Sequence, residues 1–479
     1  ELLRLQLVMG RTRRMREGKD APAIPFDQDA TKEFVDSLPF TLTGDQKRSA
    51  WEMIRDMEKS APMNRLLDGD VGSGKTVVAA VVAANAAQAG FQSALMAPTE
   101  ILAYQHYKTL TEMFGRKVRL ALWTNSYKRL WSGSRETECK GKDAVVRLAE
   151  RIADGKVSVV VGTHALVEKT LDFDRLAFVV IDEQHRFGVR TRRLLREKGS
   201  AGNTEPHLLS MTATPIPRSL ALTVYGDLDL SILREKPKDR KMIETKVVSA
   251  RGRRKAYDFI RGQLQDGRQA FVVCPLIDKS DMLGVTSVTE EYERLKNEVF
   301  PDIEVAMLHG RMSASEKEDI MARFKGGDCR VLVSTSVVEV GVDVSNATVM
   351  CIEGADRFGL AQLHQFRGRV GRGEHQSYCF LFPATYGPAV RERLGIMEAT
   401  DDGFVLAEKD LKMRGPGDLL GEEQSGHFPA LRMASIADMD LIRDARVVAE
   451  KILEDNTDLS HNPVLKEYLG ESLQETHLE

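Results

Sequence analysis

The sequence predicts an α/β chain: two parallel-sheet domains in tandem, followed by a small C-terminal helical and loop element. Three observations lead there. Short apolar runs, each ending in a polar cluster, alternate with helix-prone stretches, as in sheets covered on both faces. The glycine-rich stretch GDVGSGKT at 69–76 follows Leu66 and Leu67 and precedes an alanine- and valine-rich run at 77–89, so it joins a strand to a helix. Past a charged, proline-bearing stretch at 232–246, ILREKPKDRKMIETK, the alternation restarts, as it would beyond an interdomain linker. The divisions read as a basic N-terminal helix and linker at 1–30, a first domain at 31–235, a second at 236–390 and the C-terminal element at 391–479.

Composition permits this and excludes other classes. A chain of 479 residues can hold about two to four domains with full cores. Hydrophobic residues make up 42% and charged residues 29%, with a formal net charge of −3. Nucleic acid would therefore be met by local basic patches, not by a field over the whole molecule. The five cysteines, at 139, 274, 329, 351 and 379, form no CxxC pair, which suits a reducing compartment and argues against zinc or a disulfide framework. No run of 18 apolar residues and no signal peptide is visible, so no membrane role is expected. The chain opens on Glu1 and not on Met, as a piece of a longer protein would.

In chain order, residues 1–19 read as a helix with a basic tail: Leu2, Leu3, Leu5, Val8 and Met9, then Arg11, Arg13, Arg14, Arg16 and Lys19. That tail is either a solvated face or a contact to a DNA backbone. Pro22 and Pro25 break the helix. Phe40, Leu42, Thr43 and Gln46 follow in LPFTLTGDQ. A glutamine just upstream of a phosphate loop can read adenine, since its amide both donates and accepts. In the loop, Gly69, Gly72, Ser73, Gly74, Lys75 and Thr76 shape a cradle of backbone N–H groups at a helix N-terminus, a fit for phosphates. Lys75 would reach the β- and γ-phosphates of ATP, and the Thr76 hydroxyl would hold Mg²⁺.

Four further strands are expected at 93–97, 157–161, 178–181 and 208–211. They lead into Pro98, Thr99 and Glu100; into Gly162, Thr163 and His164; into Asp182 and Glu183; and into Thr212, Ala213 and Thr214. Ligands of parallel sheets sit at such carboxyl ends. An acid there can hold Mg²⁺, which suits Asp182. The next acid, Glu183, can orient and deprotonate an attacking water. In the second half, strands are expected at 270–274, 305–308, 331–334, 349–352 and 378–382, with no second phosphate loop. That half carries QLHQFRGRVGRG at 362–373. Its Arg367, Arg369 and Arg372 would either stabilise charge on a transferring phosphoryl group or bind a nucleic-acid backbone.

Taken together these motifs resemble those of superfamily 2 helicases and translocases. They run in order through Gln46, the loop at 69–76, 97–100 with Gln105, 162–166, DEQH at 182–185, TATPIPR at 212–218, LHGRM at 308–312, STSVVEVGVDV at 334–344 and 365–372. The stretch DGFVLAEKDLKMRGPGDLLGEEQSG at 402–426 resembles the TRG translocation motif shared by the RecG and Mfd families. GDVGSGKT, DEQHRFGV and RGPGDLLGEEQSG are closer to the RecG versions, and the C-terminal run through Leu441, Ala445, Val448 and Ile452 reads as a helix of that family. The resemblance covers nearly the whole chain, with two departures. The family's N-terminal wedge domain is not seen, residues 1–16 resembling only the helix that follows it. The stretch 123–142, WTNSYKRLWSGSRETECKGK, is longer and more irregular than expected and reads as an insertion.

The resemblance implies two RecA-like domains, ATP with Mg²⁺ in the cleft between them, and DNA across both. It implies that Gln365, Arg369 and Arg372 complete the site on closure and that Asp343 touches the nucleotide. Thr212 and Thr214 would couple the site to DNA, and Thr99, Thr163, His164, Arg311 and Thr335 would face phosphates. Arg414 and Gln424 would be the contacts of the translocation element. The implied activity is ATP-driven translocation on double-stranded DNA that remodels stalled forks and Holliday junctions. The chain would work as a monomer in the bacterial cytoplasm at the nucleoid, with single-strand DNA-binding protein as a further partner. The competing readings are an Mfd-like translocase, which needs a polymerase-binding domain not seen here; a nucleotide-gated DNA clamp with little turnover, against which Lys75, Glu183 and Arg372 stand; and a P-loop metabolite kinase, in which the arginine motif has no role.

Overall fold

A computed structural model describes residues 1–199, 204–217, 220, 228–235, 241–275, 285–335, 344–414, 438–455, 459–467 and 469. The chain divides into two compact units. One comprises Glu1–Gly69, Ser73–Glu235 and Leu411–Glu479; the other comprises Asp70–Gly72 and Lys236–Asp410.

The first unit is built on a nine-stranded sheet. Its strands are β1 (Asn64–Gly69), β2 (Gln92–Met96), β3 (Leu120–Trp123), β4 (Lys128–Trp131), β5 (Glu136–Glu138), β6 (Val159–Gly162), β7 (Leu176–Ile181), β8 (His207–Thr212) and β9 (Asp229–Leu233), in the order β5-β4-β3-β6-β2-β7-β8-β1-β9. All neighbours are parallel except β3–β4 and β4–β5. The central strands are apolar and buried along their length: VVVG in β6, LAFVVI in β7. Both faces are covered, so no polar face is needed and the run reads as continuous. Helices α1 (Leu2–Glu17), α2 (Gln28–Asp36), α3 (Gly44–Met57), α4 (Lys75–Gln88), α5 (Glu100–Phe114), α6 (Lys142–Ala153) and α7 (Val189–Lys198) belong to this unit. α4 is buried over most of its length, with Val78, Ala80, Val82 and Ala86 at most 1% exposed; alanine and valine let it lie close against the sheet.

The segment expected to be irregular is ordered. Residues 128–138 form β4 and β5, which extend the parallel sheet by an antiparallel edge. The reason is local. The turn after β3 is closed by Thr124 N–H to the Tyr127 carbonyl at 2.9 Å, and Trp131 donates its indole N–H to the Gly115 carbonyl at 2.7 Å. The stretch expected to be a linker, 232–246, also carries strand at both ends: β9 pairs with β1 in the first sheet, and β10 (Glu244–Val247) belongs to the second.

The second unit holds a six-stranded, all-parallel sheet of β10, β11 (Gln269–Val273), β12 (Val305–Leu308), β13 (Val331–Ser334), β14 (Ala347–Glu353) and β15 (Tyr378–Phe382), in the order β10-β15-β14-β11-β13-β12. Its helices are α8 (Arg253–Gln265), α9 (Val285–Arg294), α10 (Ala314–Gly326), α11 (Leu360–Arg367) and α12 (Pro388–Ala399). Two doubly covered parallel sheets are thus the observed architecture, as expected from the alternation. α13 (Gly403–Arg414) then leads toward α14 (Met439–Asp455), which packs on α1 through Leu7, Val8, Ala449 and Leu453. The buried stripe of α14 is Ile442, Ala449 and Leu453; Leu441 and Val448, on the stripe read from sequence, are 47% and 45% exposed. Part of the N-terminal basic tail is used internally: Arg13 pairs with Asp229 at 3.2 Å, and Arg14 donates to the Leu453 carbonyl at 2.5 Å.

Candidate nucleotide and DNA site

In the first unit, the polar ends of β1, β7 and β8 bring the candidate groups together. After β1 the backbone turns through Gly72 and Gly74, at φ 77° and 87°. Those are left-handed angles that only glycine adopts freely. A Cβ on Gly69 would lie 2.6 Å from Ser73 Oγ, and one on Gly74 would lie 2.3 Å from Gln46 Nε2. Lys75 opens α4 and donates to the Gly69 carbonyl at 2.6 Å. Ser73 Oγ is buried with no hydrogen-bond partner. This is a cradle closed to side chains, with a buried hydroxyl aimed at nothing in the protein and a buried ammonium group at its base. Such a set fits a phosphate chain.

Gln46 engages both ends of its amide inside the unit. Oε1 accepts the Thr43 N–H at 2.9 Å, half of a capping box that starts α3, and Nε2 donates to the Ser73 carbonyl at 2.8 Å. One amide hydrogen and one lone pair remain for an adenine ring. Phe40 is 44% exposed, and Thr76, the second residue of α4, is half-buried.

Asp182 directly follows β7 and is buried. Its Oδ2 lies 2.7 Å from His106 Nε2 on α5, and its Oδ1 accepts the Glu183 N–H at 3.1 Å. Burial alone would raise the pKa of this carboxyl. The hydrogen bond and charge of His106, the charge of Lys75 and the Glu183 N–H together hold it below the ordinary aspartate value. An ionised Asp182 can only accept, so the imidazole carries its proton on Nε2. His106 was not singled out in the sequence. A lone histidine inside a helix carries no signal there beyond its place seven residues past Thr99.

Glu183 sits at φ 51°, ψ 55°, a strained conformation for a residue with a side chain, of the kind that gathers at functional sites. Its Oε2 accepts the Ala213 N–H at 3.2 Å, and Thr212 Oγ1 lies 2.9 Å from Thr214 Oγ1. The stretch after β8 is thereby tied to the acid after β7. Next door, burial and then Arg186 depress the His185 imidazole to about 4.

The expected phosphate contacts divide by exposure. His164 is exposed, whereas Thr163 is buried. Thr99 caps α5 by accepting the Leu102 N–H at 3.3 Å. In the second unit Arg311 is exposed and Thr335 is buried. Gln365 and Arg369 are buried and Arg372 is half-buried, its Nε donating to the Gly368 carbonyl at 3.4 Å. Arg367 is a framework residue. It is 2% exposed and donates to the Met397 and Thr400 carbonyls at 2.8 and 3.0 Å, to Thr245 Oγ1 at 3.3 Å and to His364 Nδ1 at 2.8 Å. Asp343 and Gln424 lie outside the described residues, as does the side chain of Arg414.

Comparison with known proteins covers most of the chain. The family model for DEAD/DEAH box helicases matches residues 45–223, that for the helicase conserved C-terminal domain matches 253–374, and that for ATP-dependent DNA helicase RecG, domain 3, C-terminal, matches 400–476. The chain is 46% identical to the ATP-dependent DNA helicase RecG of Synechocystis sp. over 91% of its own length and 50% of that protein. It is 45% identical to the Bacillus subtilis protein of the same name over 94% of its own length and 63% of that one. It thus spans about half to two-thirds of these curated relatives. Among solved structures, RecG bound to a three-way DNA junction superposes with a TM-score of 0.77 at 40% identity, over 94% of this chain and 56% of that one. The DUF1998 helicase MrfA bound to DNA, at 18% identity and a TM-score of 0.55, shares the fold.

Proposed function

Because this chain belongs to the RecG family, we propose that it hydrolyses ATP to move along double-stranded DNA and remodels branched junctions, stalled forks and Holliday junctions among them, in recombination and repair. The observation that carries the reading is the gathering of a glycine-built cradle with Lys75, an ionised Asp182 and a strained Glu183. Lys75 holds the nucleotide's terminal phosphates. Thr76 and Asp182 hold Mg²⁺. A carboxylate and a hydroxyl are oxygen donors of the kind Mg²⁺ takes. Bound Mg²⁺ neutralises phosphate charge. Glu183 orients the attacking water and takes its proton. Gln365, Arg369, Arg372 and Asp343 are further residues that act on the nucleotide, and Phe40 and Gln46 hold the base.

For DNA, Thr99, Thr163, His164, Arg311 and Thr335 meet backbone phosphates, which position the duplex without reading its sequence. Thr212 and Thr214 pass the state of the site onward through Ala213 and Glu183. Arg414 and Gln424 act in the translocation element. The chain acts as a monomer at the bacterial nucleoid, with single-strand DNA-binding protein as a partner; no described helix is long and apolar enough to cross a membrane. The test is steady-state ATP turnover with linear duplex, single strand and a synthetic fork. Branched duplex should stimulate turnover most, and Lys75→Ala should abolish it. Wild-type turnover in Lys75→Ala would refute the assigned site.

A further inference from the structure

Helix α5 carries a polar contact of a different kind at each of two places. At its start, Glu100 Oε1 accepts the Ser126 N–H at 2.9 Å, from the turn that follows β3. In the same turn Asn125 Nδ2 lies 3.4 Å from His164 Nε2. The start of α5, the turn at 124–127 and the residue after Thr163 therefore form one connected patch at the carboxyl ends of β2, β3 and β6. The patch carries Thr99 and exposed His164. Six residues beyond Glu100, about 9 Å along the helix axis, His106 reaches inward to Asp182.

The turn at 124–127 and the outer strands brace the helix along its length. Lys108 pairs with Glu136 of β5 at 2.9 Å, Tyr104 packs on Tyr127 with ring centroids 6.2 Å apart, and Trp131 of β4 bonds the Gly115 carbonyl just past the helix end. A helix tied at its start, middle and end moves as a body. A displacement of its first turn is then felt at His106, where a hydrogen bond of 2.7 Å weakens with a shift of about half an ångström.

We infer that His106 is a positioning residue: it fixes the Asp182 carboxylate for Mg²⁺, and it is the point through which DNA held at the start of α5 is felt in the nucleotide site. The inference rests on the reading of Asp182 as the magnesium-holding acid and of Thr99 and His164 as backbone contacts. The chemistry is directional. Nε2–H takes one lone pair of Oδ2 and the Glu183 N–H takes one of Oδ1, so the lone pairs left for the ion point in fixed directions. Loss of such an outer partner costs on the order of 10- to 100-fold in metal affinity. If DNA alters the hydrogen bond, DNA affinity and Mg²⁺ affinity are linked, and linkage in binding is reciprocal.

The experiment is a Mg²⁺ titration of the binding of a fluorescent ADP analogue to the whole chain, with and without saturating duplex DNA. Wild type, His106→Ala and His106→Gln are compared, the glutamine amide restoring a donor. His106→Ala should raise the Mg²⁺ half-point about 10- to 100-fold, and His106→Gln should recover most of it. Duplex should shift the wild-type half-point and leave that of His106→Ala in place. His106→Leu, which fills the space with no donor, makes the same comparison if the alanine variant unfolds. A wild-type half-point in His106→Ala or His106→Leu overturns the positioning role. A shift with duplex that persists in them, or is absent in wild type, overturns the coupling. Nucleotide binding indifferent to Mg²⁺ in wild type would instead sink the reading of the site itself.

Discussion

Arg367 is the arginine of its motif that should behave as framework, and replacing it separates structure from chemistry. Its guanidinium satisfies two backbone carbonyls, a hydroxyl and a ring nitrogen, all within the second unit and all at 2.8–3.3 Å. In Arg367→Ala the hydroxyl can turn to another partner, but the buried Met397 carbonyl and the half-buried Thr400 carbonyl lose their donor, at up to about 1 kcal/mol each. The emptied volume adds about 2 kcal/mol, and removal of a desolvated charge returns part of the total. A net loss of about 3 kcal/mol follows, a large share of the roughly 5–15 kcal/mol that holds a domain together. Arg367→Met keeps most of the volume and should lose about 2 kcal/mol. Arg372 is half-buried and donates to the Gly368 carbonyl at 3.4 Å; its truncation should cost less than that of the fully buried Arg367. The assay is hydrogen exchange at the amides of β14 and β15 in the whole chain, since two units need not unfold in one step. Arg367→Ala with core protection equal to wild type and a collapsed turnover would refute the reasoning and put Arg367 in the chemistry.

Glu183→Gln keeps the shape and the acceptor for Ala213 but cannot take a proton; turnover should fall about 10²- to 10⁴-fold with the melting temperature unchanged, and turnover above a tenth of wild type would remove Glu183 as the base. His207, the first residue of β8, is buried against the residue before β1 and the N-terminal segment, its Nδ1 accepting the Met63 N–H at 3.0 Å and its Nε2 lying 2.8 Å from the Pro22 carbonyl. Burial holds its pKa below the ordinary histidine value, against the opposing pull of the Pro22 carbonyl. The folded pKa of this base is depressed, so its stability contribution is complete above the unfolded value of about 6.5 and is lost as pH falls below it, at about 1.4 kcal/mol per unit of depression. Denaturant midpoints at pH 7 and pH 5 should differ less in His207→Gln, whose amide can accept and donate without titrating; equal differences in both proteins would contradict this.

Physical reasons decided what was legible. The central strands announced themselves because they are buried on both faces, as in LAFVVI and ATVMCIE. The edge strands did not. β10 reads ETKV, with exposed and half-buried residues alternating, and β4 reads KRLW; their pairing comes from neighbours far along the chain and from the turn at 124–127. The turn at 69–76 was legible because glycine is required at φ 77° and 87°. The partner of Asp182 was not, since a hydrogen bond between residues 76 positions apart leaves no periodicity. Arginine spacing likewise could not show which guanidinium turns inward. That follows from the end of α11, which aims Arg367 at the carbonyls of Met397 and Thr400. In α14 the buried stripe is shifted by one residue from the stripe read in sequence, because two overlapping apolar stripes run along that helix and only packing against α1 selects between them.

The most direct measurement is single-turnover ATP hydrolysis by Arg372→Ala with saturating duplex DNA, beside the nucleotide dissociation constant of the same variant. If Arg372 stabilises the phosphate in flight, the rate constant drops by about 10³-fold or more while nucleotide affinity stays within a few-fold of wild type. An undiminished rate constant would mean that the loop at 69–76 works without Arg372.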